Sequence, residues 1–248
     1  MALYKFTMSQ LISIDEDSAT ELFFNEHLEE IRQRIFQSLF ILSLIILIAF
    51  LQINPIVKVL SIPVANVKFF QSSPGEYFVS TLRVAFYTGL IFSTPLVLSQ
   101  FLFFVLPGLN NREKKITLII LLSSVVLFLL GLLFSYTILI PAALQFFLNY
   151  SVTVIEPLLS FDEYFSFISV MFFSTGVVFQ VPIIQVILSL AKIVDSNKMF
   201  SIWRYMIIIS TIIGAVLTPS ADPFTQLLLS SALFLLYLSG CFVSSVLT

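Results

Sequence analysis

The first candidate for binding chemistry is a charged stretch at positions 25–34, which leads without a break into an apolar run from Ile35 to Ile53. At about 100° per residue, the spacing predicts a helix with Leu28 and Ile31 on one face and carboxylates, including Glu30, on the other. Carboxylates that face water at a membrane surface could bind a positively charged ligand. We therefore expect residues 25–34 to form an amphipathic segment at the lipid surface, at the entrance to a membrane span.

A purely structural interpretation of the same stretch stays open at this point. Glu30 and Arg34 are spaced (i, i+4) in the favourable order, which stabilises an exposed helix by about 0.2 to 0.5 kcal/mol. His27 is the only histidine of the chain. Because one histidine without a cysteine or a second histidine beside it cannot supply the usual zinc ligands, we predict no metal site here.

A second charged group follows the turn formed by Pro107 and Gly108 and precedes another apolar run. Asn110 could cap the helix of that run, and Glu113 stands at the third helical position, where its side chain could complete a capping box. This local role is enough to explain Glu113. From these residues alone, capping and ligand binding are both possible.

Composition shows what class of protein carries these groups. The 248 residues are 58% hydrophobic and 10% charged, and the mean hydropathy is +1.05. These values lie outside the range of soluble domains and predict a polytopic membrane protein in contact with the lipid bilayer. The twelve Lys and Arg residues are scattered over the loops, so they cannot form the basic face of a nucleic-acid-binding protein.

The predicted fold is all-α, with residues 1–24 as an N-terminal tail and residues 25–248 as one membrane domain of six spans. An even number of spans places both termini on one side of the membrane. Most of the Lys and Arg residues fall on that side, which is the cytoplasmic or stromal side by the positive-inside rule. The spans are predicted at Ile35–Ile53, Val84–Leu106, Ile116–Ile140, Phe165–Leu190, Tyr205–Leu217 and Leu227–Leu247.

Several features inside the spans carry predictions of their own. The fifth run would rise only about 20 Å, against a hydrocarbon core of about 30 Å, and should thin the bilayer locally. Pro95 and Pro182 should kink their helices. Gln100 and Gln180 are amides at membrane depth and should bond to neighbouring helices. No ionisable residue stands clearly in the middle of a span, which argues against an ion-coupled carrier.

A set of short motifs, in this order and with six spans, resembles the TatC family, the multispanning receptor subunit of the twin-arginine protein translocase. The resemblance covers nearly the whole chain from His27 onward. The motifs are His27-Leu28-x-Glu30-Ile31-Arg32-x-Arg34, Pro74-x-Glu76-x-Phe78 with Arg83, Phe104-x-x-Pro107-Gly108-Leu109 with Glu113, Phe134-x-Tyr136 with Pro141, Tyr164, Phe179-x-Val181-Pro182, Arg204-Tyr205, and Leu217-Thr218-Pro219 with Asp222 and Gln226.

The resemblance implies that Glu30 and Glu113 accept the paired arginines of a signal peptide, with Phe104 nearby and Arg32 shaping the same surface. Guanidinium–carboxylate pairs form charge-assisted forked bonds, which lysine cannot reproduce. Gln180 is a candidate for a polar contact within the membrane or with a partner. The residues to which we assign a structural or assembly role are Pro63, Glu76, Arg83, Tyr136 and Asp222.

The resemblance also implies a non-enzymatic protein that moves folded precursors across the membrane with the proton-motive force and without a cofactor. The implied partners are single-span TatA-like and TatB-like subunits and twin-arginine signal peptides, in an oligomeric complex. We expect a plastid thylakoid membrane first and a bacterial inner membrane second. A secondary transporter of a small solute is the alternative; it predicts buried ionisable groups and repeated halves. An intramembrane enzyme would need a nucleophile, metal or aspartate-pair motif, which the sequence lacks.

Overall fold

The structure, a computed structural model, describes residues 28–64, 69–105, 111–151, 159–218 and 222–247, with the side chains of 101–105, 111–117, 148–151 and 247 left out of that description. Within these ranges the chain forms α-helices and one pair of two-residue strands. The prediction of an all-α membrane fold is confirmed.

The described residues in the first half of the chain form five α-helices. A 3₁₀ turn at Ile62–Val64 follows the second of them, and a π-helical turn at Ser135–Leu139 joins the last two. The short strand β1 spans Phe69–Phe70. The helices are α1 at Leu28–Leu51, α2 at Ile53–Leu60, α3 at Glu76–Val105, α4 at Asn111–Phe134 and α5 at Ile140–Ser151.

The second half begins with strand β2 at Leu159–Ser160, which pairs in parallel with β1 through Phe69 and Leu159. Five helices follow it. They are α6 at Phe161–Val178, α7 at Val181–Leu190, α8 at Ser196–Ser201, α9 at Trp203–Leu217 and α10 at Pro223–Leu247.

Among the described residues, five helical segments are long and apolar enough to cross a membrane, and α9 supplies a shorter sixth. The long ones are α1, most of α3, α4 joined to α5, α6 joined to α7, and α10. Six spans were predicted, so this arrangement agrees with the sequence. Helix α9 has 15 residues, about 22 Å at 1.5 Å per residue, and remains short of the hydrocarbon thickness.

Two predicted boundaries differ most from the helices of the structure. Helix α3, which carries the second span, begins at Glu76 and not at Val84, and the Glu76 carboxylate accepts hydrogen bonds from the chain before the helix. The third span does not end at Ile140. The helix continues to Ser151, because Pro141 lies in the first turn of α5, directly after the π-helical turn, where a missing N–H is tolerated.

The fourth span is interrupted, as predicted from Pro182. Helix α6 ends at Val178 and α7 begins at Val181, with Pro182 in its first turn. Proline removes a backbone donor and disrupts a continuing helix. Helix α3 continues past Pro95 to Val105, and a kink at Pro95 stays a prediction.

The helices pack in two groups that meet at this interruption. In the first group α3 and α4 contact α6, and in the second α7 and α9 contact α10. Phe165, Ile168 and Met171 of α6 are fully buried in the first group, together with Val84 of α3. Leu229 and Leu233 of α10 pack against Leu139 and Val178, so this cluster joins the second group to the first. The break between α6 and α7 lets one span serve both groups.

Candidate functional site

The charged end of α1 carries the first candidate carboxylate. The Arg34 guanidinium donates from Nε (3.0 Å) and Nη2 (2.6 Å) to Oε1 of Glu30. The exposed fraction of the side chain is 34% for Glu30 and 25% for Arg34. The (i, i+4) pair anticipated from the spacing is therefore present, and the Glu30 carboxylate holds a guanidinium in this structure.

The same arginine connects α1 to α3. Its Nη1 donates to the amide oxygen of Gln100 at 3.2 Å. Gln100 lies near the end of α3, whose last residue is Val105, so the α1 charges lie beside the end of α3. This contact holds Glu30 beside the last turns of α3, at the end of the bundle where α3 ends and α4 begins. We name this end of the bundle the Glu30 end.

The backbone brings the other two candidate binding residues to the Glu30 end. Phe104 is one helical turn beyond Gln100 in α3, and Glu113 is the third residue of α4. Their side chains lie outside the described residues, as do Asn110 and the Pro107-Gly108 turn. Their assignment to the signal peptide stays a prediction.

The segment that carries Glu30 is helical where the structure describes it. Leu28 to Arg34 are the first two turns of the continuous helix α1, as an entrance that runs without a break into the span requires. Glu30 and Arg34 are partly buried, whereas Arg32 is exposed. The location of residues 25–34 at the lipid surface stays a prediction.

At the opposite end of the bundle, the Glu76 carboxylate bonds both to the chain before α3 and to the start of α6. Its Oε2 accepts from the N–H groups of Ser72 and Ser73, the latter at 3.2 Å. Its Oε1 accepts from the Ser160 hydroxyl (2.9 Å) and the Asp162 N–H (3.2 Å). Glu76 lies in the first turn of α3, and its carboxylate ties the start of α3 to the start of α6.

Arg83 pairs with a residue that sequence reasoning missed. Its Nη1 donates to both carboxylate oxygens of Asp162, at 2.8 and 3.0 Å, and the Ser80 hydroxyl donates to Asp162 at 2.7 Å. The partners are 79 residues apart, so no local spacing indicates the pair. An arginine near one helix start and an aspartate in the first turn of another were the available signal.

We expect Asp162→Asn to lower the free energy of unfolding by about 1 kcal/mol. The change removes the charge that Arg83 faces, but exposed fractions of 37% for Arg83 and 30% for Asp162 allow water to screen the pair. Thermal unfolding in detergent measures the loss. Asp195→Asn is the control, because its pair with Lys198 is much more exposed, at 67% and 76%. Equal losses in both variants would show that the Arg83 pair has no stabilising role.

Gln180 lies at the interruption between α6 and α7 and is 3% exposed. Its amide oxygen accepts from the Ser124 hydroxyl (2.8 Å), and its amide N–H donates to the Ser124 carbonyl oxygen (3.1 Å). The side chain is thus bonded twice to α4, as an amide at membrane depth requires. Both polar atoms of the Gln180 amide are engaged within the chain.

The remaining assigned residues occupy local structural positions. Asp222 caps α10, because its carboxylate accepts from the Thr225 N–H at 2.9 Å and from the Thr225 hydroxyl. Pro63 lies in the 3₁₀ turn after α2. Tyr136 lies in the π-helical turn and stacks on Phe172, with ring centroids 6.2 Å apart.

An apolar groove of about 360 Å³ opens between α2, α3, α4 and α6. Its walls are almost entirely hydrocarbon, with the hydroxyl groups of two residues as the polar exceptions. No local pattern in the sequence indicates this groove, because its lining comes from four helices. The lining residues are Pro55, Ile56, Val59, Leu60, Thr88, Ile91, Phe92, Leu132, Ser169 and Phe172.

Comparison with known proteins identifies the family. The family model described as Sec-independent protein translocase protein (TatC) matches residues 26–231, most of the chain. The chain belongs to the TatC family. Among the described residues, no group of three or more His, Cys, Asp or Glu side chains could hold a metal ion. TatC is a component of a protein translocase, which is a transport role and not a catalytic one.

Relatives of this TatC-family chain occur in plastids and in bacteria. It is 45% identical to the chloroplastic Sec-independent protein translocase protein TATC of Oryza sativa subsp. japonica, over 98% of this chain and 67% of that protein. It is also 45% identical to TatC of Synechocystis sp., over 93% of this chain and 90% of the relative. The chain is therefore a multi-pass integral membrane protein of a plastid or bacterial membrane.

A solved structure supports the fold. The crystal structure of a twin-arginine translocase receptor, TatC, superposes with a TM-score of 0.78 and 31% identity, covering 89% of this chain and 98% of that one. The interrupted fourth span and the short α9 thus belong to a fold that matches a solved TatC over nearly its full length.

Proposed function

We propose that this translocase subunit is the receptor that binds the twin-arginine signal peptides of folded precursor proteins. Glu30 and Glu113 accept the two guanidinium groups at the Glu30 end, Phe104 contributes an aromatic wall, and Arg32 shapes the surface. The observation that supports this most directly is the guanidinium of Arg34, which donates two hydrogen bonds to Oε1 of Glu30, the kind of contact that a ligand arginine would make.

The energetic case rests on the partial burial of the carboxylate. A forked guanidinium–carboxylate bond contributes about 1.5 to 3 kcal/mol when it is partly removed from water, and a fully exposed pair contributes less than about 1 kcal/mol. Glu30 is 34% exposed, between these limits. Two such carboxylates would favour paired arginines over paired lysines, because the lysine ammonium makes point contacts only.

The apolar groove supports the same proposal. A signal peptide carries an apolar segment beside its charged motif, and burial of apolar side chains against a hydrocarbon wall adds van der Waals contacts. The groove lies between the short helix α2 and three membrane-spanning helices, and is lined by Ile91, Phe92 and Phe172, among others. It can accept a few apolar side chains of the bound peptide.

The wider proposal concerns energy, partners and location. Translocation uses the proton-motive force, and single-span TatA-like and TatB-like subunits complete an oligomeric complex. The N- and C-termini face the cytoplasm or stroma, which is supported by the excess of Lys and Arg in the loops of that side. The proposed location is the thylakoid membrane, supported by similarity to a chloroplastic relative.

Peptide binding to the membrane-embedded chain tests the receptor proposal. We expect a twin-arginine signal peptide to bind at least about tenfold more tightly than its twin-lysine version, a difference of about 1.4 kcal/mol. Glu113→Gln and Glu30→Gln should each reduce this preference, because a neutral amide lacks the charge that strengthens the forked bond. Titration of labelled peptides into proteoliposomes measures both affinities.

The matched control is Glu163→Gln, a carboxylate in the first turn of α6, at the opposite end of the bundle. It should leave both peptide affinities unchanged. Equal binding of the two peptides by the wild-type chain, with no effect of Glu30→Gln or Glu113→Gln, would refute the receptor proposal and return Glu113 to its capping role.

A further inference from the structure

The Glu30 carboxylate already carries a guanidinium that belongs to the chain. The Arg34 guanidinium donates from Nε and Nη2 to Oε1 of Glu30, and from Nη1 to the amide oxygen of Gln100. An arginine side chain of a ligand would offer the same group to the same oxygen. The two guanidinium groups therefore compete for the Glu30 carboxylate.

We infer that Arg34 is an internal competitor that sets the affinity of Glu30 for an arginine ligand and allows the bound ligand to be exchanged. This inference rests on the proposed receptor function and deepens it. In the unliganded state Arg34 occupies Glu30. When a ligand binds, its guanidinium takes the Glu30 oxygen and Arg34 keeps its contact with Gln100; when the ligand leaves, Arg34 returns.

Gln100 suits the role of a fixed anchor. It belongs to α3, whereas Arg34 and Glu30 belong to α1, and the bond from Arg34 Nη1 to Gln100 Oε1 is 3.2 Å long. An amide oxygen accepts a hydrogen bond without adding charge, so it does not offset the attraction between Glu30 and a cationic ligand. Arg34 can thus release Glu30 without losing all of its hydrogen bonds.

If Arg34 competes for Glu30, its removal has a different effect on peptide affinity than if Arg34 contacts the peptide directly. Any ligand that displaces Arg34 must break the internal pair between Arg34 and Glu30. The pair therefore lowers the affinities of the twin-arginine and the twin-lysine peptide by the same factor. The preference between the two peptides is a ratio of their affinities, and this common factor cancels from it. Removal of Arg34 should raise the affinity for both peptides and leave the ratio of the two affinities unchanged.

The experiment titrates both peptides into proteoliposomes that contain the wild-type chain, Arg34→Met or Arg34→Gln. The methionine variant keeps an apolar stem of similar length, and the glutamine variant keeps a polar side chain in case the first folds poorly. We expect both variants to bind each peptide about two- to tenfold more tightly, the range of strength for a partly exposed ion pair.

Arg32→Met is the charge-matched comparison. It removes an equal charge from the same end of α1, and among the described residues no hydrogen bond or ion pair joins Arg32 to Glu30. Its effect should fall below the tightening seen with Arg34→Met. Equal tightening in both would mean that lost positive charge alone explains the result, which would overturn the inference.

Two further outcomes separate the inference from the receptor proposal. If the wild-type chain prefers twin arginine and needs Glu30, but the Arg34 variants bind no more tightly or change the ratio between the peptides, the competition is refuted and the receptor stands. If the wild-type chain shows neither the preference nor the need for Glu30, the receptor proposal fails whatever the Arg34 variants do. Tighter binding of both peptides at a constant ratio supports the competition.

Discussion

Phe128→Ala is expected to lower the free energy of unfolding by about 3 to 5 kcal/mol. Phe128 of α4 is 1% exposed, and its ring lies against Gly176 of α6, so close that a Cβ on Gly176 would come within 2.6 Å of the Phe128 Cε2. Truncation would leave a cavity between α4 and α6, which approach each other closely because Gly176 has no side chain. In a membrane, such packing is a main source of helix association.

The loss can be measured by reversible unfolding in mixed detergent and SDS micelles. Leu129→Ala is the matched control, since Leu129 is the next residue of α4 and is 56% exposed, so its side chain contacts lipid in both the folded and the dissociated state. It should cost well under 1 kcal/mol. If both variants unfold alike, the α4–α6 contact is not the packing that holds the first group together.

Gly240→Ala is expected to lower the free energy of unfolding by a net amount of about 1 to 2 kcal/mol. A Cβ at Gly240 of α10 would lie 1.9 Å from Oε1 of Gln185 and 2.8 Å from the Pro182 Cα, both in α7. The Gln185 side chain can turn away, but the Pro182 backbone cannot, so the helices must separate. Such overpacking costs about 1 to 3 kcal/mol, which exceeds the gain of up to about 1 kcal/mol in helix propensity.

Gly75→Ala separates the clash from the general effect of replacing a glycine. A Cβ at Gly75 would meet nothing within 4 Å, so its stability should be unchanged or slightly higher. The same micelle unfolding assay serves both variants. Equal stability of Gly240→Ala and wild type would mean that α7 and α10 can move apart at no cost.

Local features of the fold could be predicted from the sequence. The apolar runs indicated six spans because the cost of exposing polar groups to lipid constrains composition over about twenty residues. The roles of Glu76 and Asp222 at helix starts, and the pair of Glu30 with Arg34, follow from spacings of three or four residues. A helix fixes such neighbours before any tertiary contact forms.

Contacts between helices could not be predicted in this way. Arg83 and Asp162 are 79 residues apart, and Arg34 and Gln100 are 66 apart. Each side chain was identifiable as a polar group that needs a partner, but its partner depends on which helices pack together and at what rotation. The continuation of the third span past Pro141 was missed because a proline also often ends a helix.

The same distinction between local spacings and contacts between helices applies to the candidate binding site. Glu30 was noticed from its charge pattern, but its contact with the end of α3 required the structure. Glu113 had a full local explanation as a capping residue, and only the resemblance to a family pointed to ligand binding. The apolar groove had no signal at all, because each of its four helices contributes only a few residues.

The interruption at Phe179 and Gln180 has a consequence for how the protein is made. Every main contact of the first group, α3 and α4 with α6, lies within the chain up to Val178, and the second group, α7 and α9 with α10, lies within the chain after it. Contacts between nearby segments close with less entropy loss than distant ones. The N-terminal helices can therefore assemble while the rest of the chain is still being synthesised. The bonds between Ser124 and Gln180 and the packing of α10 against Leu139 and Val178 then join the later helices to the earlier ones.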